Sequence, residues 1–164
     1  MSLAIVQTRA SAGIKAPGVT VEAHISNGLP SLSIVGLAET AVKESRDRVR
    51  SALLNTQFAF PIRRITINLA PADLPKQGSR FDLPIALGIL AASKQIPNDT
   101  LSDYEFIGEL GLSGELRPVS GILPFALEAH KANHKIILPA DNALEASLSR
   151  NTIVLPAKNI LQIC

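Results

Sequence analysis

The spacing of hydrophobic positions changes along the chain and predicts a mixed α/β domain. Residues 3–9 and 19–25 alternate or cluster β-branched side chains, which indicates strands because successive strand residues point to opposite faces. Gly13 and Pro17–Gly18 separate the two runs, so a hairpin or a pair of long neighbouring strands is expected. A short third strand is predicted at 31–35.

Residues 39–56 have hydrophobic positions three and four residues apart, which predicts an α-helix. Glu44 and Arg48 lie at the i,i+4 spacing that supports an exposed, charged helix face. Arg46 and Arg50 have no acidic residue four positions earlier. These two arginines are therefore candidates for contact with something outside the helix.

The middle of the chain predicts a strand, a long loop and a buried helix. Residues 64–69 alternate as in a central strand, and 70–81 form a loop that contains proline and glycine. The helix at 83–93 is apolar nearly all round, so it is expected to be buried. Asp82 is placed to cap its N-terminus, which would lie directly behind the loop.

The second half of the chain predicts a series of short elements. They are a hairpin of strands 104–110 and 115–119 that turns at Gly111–Gly114, a helix at 121–134, a strand at 135–138, a short helix at 143–148, a strand at 152–155 and the start of a helix at 157–164. Since the last helix is cut at its first turns, we expect the natural chain to continue.

Composition fits one packed domain over residues 1–164. Hydrophobic residues make up 46% of the chain, charged residues 18%, and the mean hydropathy is +0.24. The single cysteine, Cys164, excludes a disulfide framework and a cysteine-based zinc site. The apolar runs are too short for a membrane span, and the N-terminus lacks the pattern of a signal peptide. We therefore expect a cytoplasmic protein without a membrane partner.

The formal net charge of +2 hides an uneven distribution of charge. Residues 43–80 contain eight basic side chains and three acidic ones. The basic ones are Lys43, Arg46, Arg48, Arg50, Arg63, Arg64, Lys76 and Arg80, and the acidic ones are Glu44, Asp47 and Asp73. This stretch favours an anionic partner.

The usual nucleotide and metal motifs are absent from the sequence. It contains neither G-x-x-x-x-G-K-[ST] nor G-x-G-x-x-G. His130 and His134 have the spacing at which two imidazoles on a helix could share a metal, but nothing obvious completes such a site. A surface or helix-end role is favoured for both, and no metal site is expected.

The loop before the buried helix is the one place where a catalytic site could be built. Ser79 lies near the helix N-terminus, whose free N–H groups can stabilise an anion. A Ser–Lys nucleophile would need Lys76 to be unprotonated and held against that hydroxyl. On a loop bounded by proline and glycine, we expect Lys76 to be solvated and charged. The alternative is that the loop simply connects strand and helix.

Three long segments carry a resemblance to a known family. Residues 27–55, 60–93 and 108–124 (the last is GELGLSGELRPVSGILP) resemble the N-terminal domain of the ComM/YifB family, bacterial AAA+ proteins often labelled magnesium-chelatase-like. The resemblance covers essentially the whole chain. It implies a ribosomal protein S5 domain 2-like fold, shared with the Lon proteolytic domain and the C-terminal domain of RadA, with a mixed sheet and helices packed on it. It also implies a following AAA+ motor that uses ATP and Mg²⁺.

The resemblance to Lon can be followed residue by residue. PKQGSRFD (75–82) stands where Lon-type peptidases carry P-K-D-G-P-S-A-G. Arg80 takes the position of the nucleophilic serine, and Ser79 comes one position early. Leu123 takes the position of the catalytic lysine. The resemblance therefore implies that this domain has no catalytic residue and needs no cofactor.

Competence-associated members of the family are hexameric ATP-driven helicases that promote branch migration when incoming DNA recombines. We therefore expect a non-catalytic domain that helps to assemble the ring and contacts DNA weakly. The candidate phosphate contacts are Arg46, Arg50, Arg63, Arg64, Lys76 and Arg80. Aromatic residues make up only 4% of the chain, so binding should depend on the phosphate backbone and on salt.

Two other functions are compatible with the sequence. The domain could be a Ser–Lys peptidase that uses Ser79, or a structural oligomerisation module whose basic residues pair with acids across a subunit interface. Arg80 also has a local alternative, because it could pair with Asp73 or Asp82 and fix the loop.

Overall fold

A seven-stranded mixed sheet organises the chain in a computed structural model that describes residues 2–164. The strands are β1 (Ser2–Arg9), β2 (Gly18–Ser26), β3 (Ser31–Val35), β4 (Arg64–Ala70), β5 (Tyr104–Phe106), β6 (Glu109–Leu110), β7 (Leu116–Arg117), β8 (Lys135–Pro139) and β9 (Val154–Ala157). The helices are α1 (Glu39–Asn55), α2 (Asp82–Ala92), α3 (Ile122–Lys131) and α4 (Ala143–Ala146). The predicted mixed sheet with helices packed on it is confirmed.

The sheet has the strand order β3-β4-β2-β1-β5-β8-β9. The predicted N-terminal pair is confirmed, since β1 and β2 lie antiparallel with Val6 opposite Val21. β2 also pairs antiparallel with β4, whereas β3 lies parallel to β4 at the edge of the sheet. On the other side, β5, β8 and β9 continue in parallel from β1.

Helix α2 forms the centre of the main core, as its composition predicts. All of its residues are buried, and it packs on β1 and β2. A Cβ atom at Gly88 would lie 3.0 Å from the Cβ of Ala23, so glycine lets the helix approach the sheet closely. A second, smaller core lies between α3, β8 and α4.

Two predicted elements in the second half differ from the structure. The predicted strand 104–110 divides, because Ile107 N bonds to Ile137 O while Gly108 N bonds to Arg80 O beside α2. Only β6 and β7 form the predicted hairpin. The predicted helix at 157–164 is wrong: β9 continues to Ala157, and a single 3₁₀ turn follows at Ile160–Gln162.

Between residues 2 and 164, every helix is too short or too polar to cross a bilayer.

Candidate functional site

Lys76 is bonded to the backbone of its own loop, which connects β4 and α2. Its side chain is buried, and Nζ donates hydrogen bonds to Pro71 O at 2.6 Å and Leu74 O at 2.9 Å. Burial lowers the pKa of Lys76, and the charge of Asp73 opposes this shift. The expectation of a solvated Lys76 is therefore wrong. The amine holds its own loop together and presents no surface to a phosphate.

Arg80 is also buried, with 5% of its surface exposed. Its Nη2 donates a hydrogen bond to Ser120 O, across to the segment before α3. The alternative of an ion pair with Asp73 or Asp82 is wrong, because no ion pair joins Arg80 to an acid within residues 2–164. Arg80 thus bridges two loops and, like Lys76, is not exposed on the surface as a contact to the DNA backbone would require.

The bridge crosses a polar cleft of about 480 Å³. One wall is the segment 77–80 before α2, another is the segment 118–120 before α3, and Ser11 closes the rim. The first segment contains Arg80, at the position of the Lon nucleophile, and the second lies just before α3, where Leu123 holds the position of the base. The fold therefore brings the nucleophile position next to the segment that leads into the base position.

The cleft does not contain the alternative Ser–Lys pair. Ser79 lines it, but the amine of Lys76 is directed to backbone carbonyls of its own loop. Leu123 lies at the start of α3, where its backbone N donates to Glu145 Oε2 at 3.1 Å. Among the described residues, then, no amine is available to activate a cleft hydroxyl.

Asp82 does not cap α2, contrary to the prediction. Its carboxylate is fully buried and accepts hydrogen bonds from Ser45 Oγ at 2.7 Å, Arg48 Nε at 2.6 Å and Leu110 N at 3.2 Å. Burial raises the pKa of Asp82, and the hydrogen bonds from Arg48 and Ser45 oppose this. The expected exposed pair of Glu44 with Arg48 is replaced by this buried one, which joins α1, α2 and β6.

Three of the candidate arginines line an open groove of about 640 Å³ beside the edge strand β3. Arg46 and Arg50 come from one side of α1, and Arg63 comes from the segment before β4. The guanidinium carbon of Arg50 lies 5.4 Å from the centroid of the Phe60 ring, and Arg63 Nη2 donates to Asn27 Oδ1 at 3.0 Å. We call Arg46, Arg50 and Arg63 the groove arginines.

Arg64 is exposed at the start of β4, next to the groove. Its side chain passes the turn at Gly28, where a Cβ atom would lie 3.5 Å from Arg64 Cδ. Of the six candidate contacts, four thus lie on or beside one surface and two are buried elsewhere. Between residues 2 and 164, no ion pair joins any of these four arginines to an acid.

His130 and His134, whose spacing could allow a shared metal, have different surroundings. His130 is exposed on α3, whereas His134 Nδ1 lies 2.7 Å from Glu105 Oε2. Glu105 also accepts from Arg9 Nε at 2.6 Å and Arg9 Nη2 at 3.0 Å. In the described part of the chain, no group of three or more candidate ligands stands close enough to hold a metal ion.

Comparison with known proteins identifies the family of the chain. Residues 21–142 match the family described as subunit ChlI of Mg-chelatase. The chain belongs to this family. The competence protein ComM of Haemophilus influenzae is 58% identical over 143 residues, which cover 87% of this chain and 28% of that protein. The YifB protein of Salmonella typhimurium is 59% identical over the same share of each chain. The predicted resemblance is confirmed.

Lon proteases are more distant relatives of this ChlI-family domain. The Lon protease of Chloroflexus aurantiacus is 31% identical over 134 residues, which cover 76% of this chain and 16% of the protease. This similarity agrees with the predicted Lon-like fold. The chain spans about 28% of the length of ComM and YifB.

Proposed function

We propose that the chain is a non-catalytic domain of a ComM-like AAA+ motor and contacts DNA through the groove arginines. The observation that carries the proposal is their assembly on one open surface from two separate elements. In the whole protein, a following AAA+ domain would bind ATP and Mg²⁺, assemble as a hexameric ring and drive branch migration during recombination of incoming DNA in the cytoplasm.

The chemistry of the groove suits a phosphate backbone better than bases. Guanidinium groups offer several N–H donors in a fork that matches phosphate oxygens. Phe60 is the aromatic ring in the groove, and Arg50 covers it, so it offers little free surface for base stacking. Asp47 also lines the groove and reduces its charge, which is consistent with weak binding.

The non-catalytic part of the proposal rests on the cleft. Arg80 occupies the position of the Lon nucleophile and spans the cleft through its hydrogen bond to Ser120 O. Leu123 replaces the lysine and has no group that accepts a proton. With Lys76 bonded to its own loop, the alternative nucleophile Ser79 has no amine base in the part of the chain that the structure describes.

A salt series tests the DNA contact. A triple variant, Arg46→Gln, Arg50→Gln and Arg63→Gln, removes three charges and keeps most of each side chain. Each phosphate contact on duplex DNA contributes about −0.9 to the slope of log Kobs against log salt. The slope should therefore become shallower by about 2.7 in the variant, measured by filter binding between 50 and 200 mM salt.

The matched control removes three exposed positive charges at the other end of the sheet, by Lys131→Gln, Arg150→Gln and Lys158→Gln. It has the same net charge as the groove variant and should keep the slope of the parent chain. Equal slopes in the two triple variants, or no binding by the parent chain, would remove the DNA contact from the proposal.

A further inference from the structure

Arg80 carries a buried charge that has no counter-ion among residues 2–164. Its guanidinium is almost fully buried, yet it makes one hydrogen bond within residues 2–164, from Nη2 to Ser120 O. Nη1 is buried without any hydrogen-bond partner in the described chain. Buried charges in proteins are normally paired and fully hydrogen-bonded, because the loss of their hydration is costly. The interactions of Arg80 are therefore incomplete.

The cleft that Arg80 lines is polar, and none of the described residues that line it is an acid. Its other polar side chains are Ser11, Gln77, Ser79 and Ser120, which are neutral and can donate hydrogen bonds. Burial lowers the pKa of Arg80, as expected for a guanidinium that no carboxylate stabilises. The cleft thus offers donors and one positive charge.

The rim of the cleft brings the Ser11 hydroxyl close to the guanidinium. A Cβ atom at Gly121 would lie 3.2 Å from Ser11 Oγ and 3.4 Å from Arg80 Nη2. The two groups therefore border the same small space. Gly121 has a φ of 75°, so both backbone conformation and space favour glycine there.

We propose that this cleft binds an oxyanion, a carboxylate or a phosphate group, through Arg80 and the hydroxyls around it. A guanidinium N–H donates a charge-assisted hydrogen bond to an oxygen of such a group, and serine hydroxyls can donate to its remaining lone pairs. The site is separate from the groove arginines, with which it shares no lining residue. It therefore does not depend on the proposed function.

Thermal unfolding with two probes tests the site. The 164-residue chain is melted in sodium phosphate, in sodium acetate, and in sodium chloride of equal ionic strength. A probe at ten times its Kd should raise Tm by about 3–6 °C above the chloride value. A rise with phosphate alone assigns a phosphate group, and a rise with acetate assigns a carboxylate.

Arg80→Met should lose this rise, whereas the groove triple variant should keep it. Because an apolar side chain of similar length replaces an unpaired buried charge, Arg80→Met should not lower Tm in chloride. No rise with either probe, or the same rise in Arg80→Met, would overturn the proposal.

A second pair of variants tests the site without altering Arg80. Ser11→Glu places a carboxylate at the rim and should bind Arg80 in place of the free anion, whereas Ser11→Gln adds the same length without charge. Ser11→Glu should melt above Ser11→Gln in chloride and lose the response to both probes. Equal melting temperatures together with an unchanged response would contradict an oxyanion site.

Discussion

Removal of the Asp82 carboxylate should destabilise the domain more than most single substitutions. Asp82→Ala leaves the Arg48 guanidinium, the Ser45 hydroxyl and the Leu110 N–H without their acceptor. Loss of one partner from a buried ion pair costs about 3–5 kcal/mol, and an unsatisfied buried N–H about 1–3 kcal/mol. Because Arg48 remains partly exposed to water, we expect a net loss of about 4 kcal/mol.

A loss of this size is large because the free energy of unfolding of an ordinary domain is only about 5–15 kcal/mol. Urea unfolding followed by circular dichroism measures this loss of free energy. In a thermal melt, Tm should fall by about 8–16 °C. Asp99→Ala is the matched control, because Asp99 is exposed, and it should change stability by less than about 0.5 kcal/mol. If Asp82→Ala were as stable as this control, the buried ion pair would have no structural role.

The pH dependence of stability tests the same pair. Since burial raises the folded-state pKa of Asp82, the folded chain binds this proton more tightly than the unfolded chain does. The part of the stability that comes from this bound proton is thus greatest below the unfolded pKa of about 3.9 and is lost as pH rises through the folded pKa, whereas the hydrogen bonds that the Asp82 carboxylate accepts remain. Arg48→Met removes the hydrogen bond that opposes the shift, so its stability should fall more steeply over this window. Parallel curves for Arg48→Met and the parent chain would contradict the coupling.

Two further predictions concern the ion pair of Arg9 with Glu105, at the C-terminal end of β1, and the cleft. Glu105→Ala should lower the free energy of unfolding in urea by about 3–5 kcal/mol. It leaves the largely buried Arg9 guanidinium without its carboxylate and removes the partner of His134. Glu128→Ala, which breaks an exposed i,i+3 pair with Lys131, should cost less than about 0.5 kcal/mol, and similar losses in both would refute the argument. Ser79→Ala should leave the hydrolysis of unfolded casein at the background of the parent chain, since Lys76 is not available as a base. Casein hydrolysis that disappears in Ser79→Ala would restore the peptidase function.

Local patterns predict most of the fold because they describe single elements. The alternation in β1 and β2, the spacing in α1 and the apolar composition of α2 each depend on residues close together in the chain. The order of the strands could not be derived in this way. The parallel pairing of β3 with β4, for example, requires the chain to return after α1.

The site is harder to predict, because its contacts join distant residues. Asp82 and Arg48 are 34 residues apart, and Arg9 and Glu105 are 96 apart. Arg48 looks like part of an exposed helix face in the sequence, and only the position of α2 shows its true partner. Arg46 and Arg50 share a helix face by their spacing, but the addition of Arg63 depends on how the segment before β4 folds back onto α1.

Lys76 shows the same limit within a single loop. Its position between prolines and a glycine predicts exposure, yet the loop curls around the amine and provides two carbonyl acceptors. The Lon-like segment 75–82 indicates that this loop is a potential site, but it does not indicate that the Lys76 side chain is buried. Arg80 likewise kept its predicted position in that segment but pairs with a backbone carbonyl instead of an acid.

The most direct test of the proposed DNA contact is the arginine Nε–Hε region of a ¹⁵N-resolved NMR spectrum, recorded while a short duplex is added to the 164-residue chain at low salt. If the groove arginines contact DNA, their signals should shift, whereas those of Arg48 and Arg80, which are bonded inside the domain, should not. Shifts confined to Arg150 and Arg117, or no shift at any arginine, would contradict it.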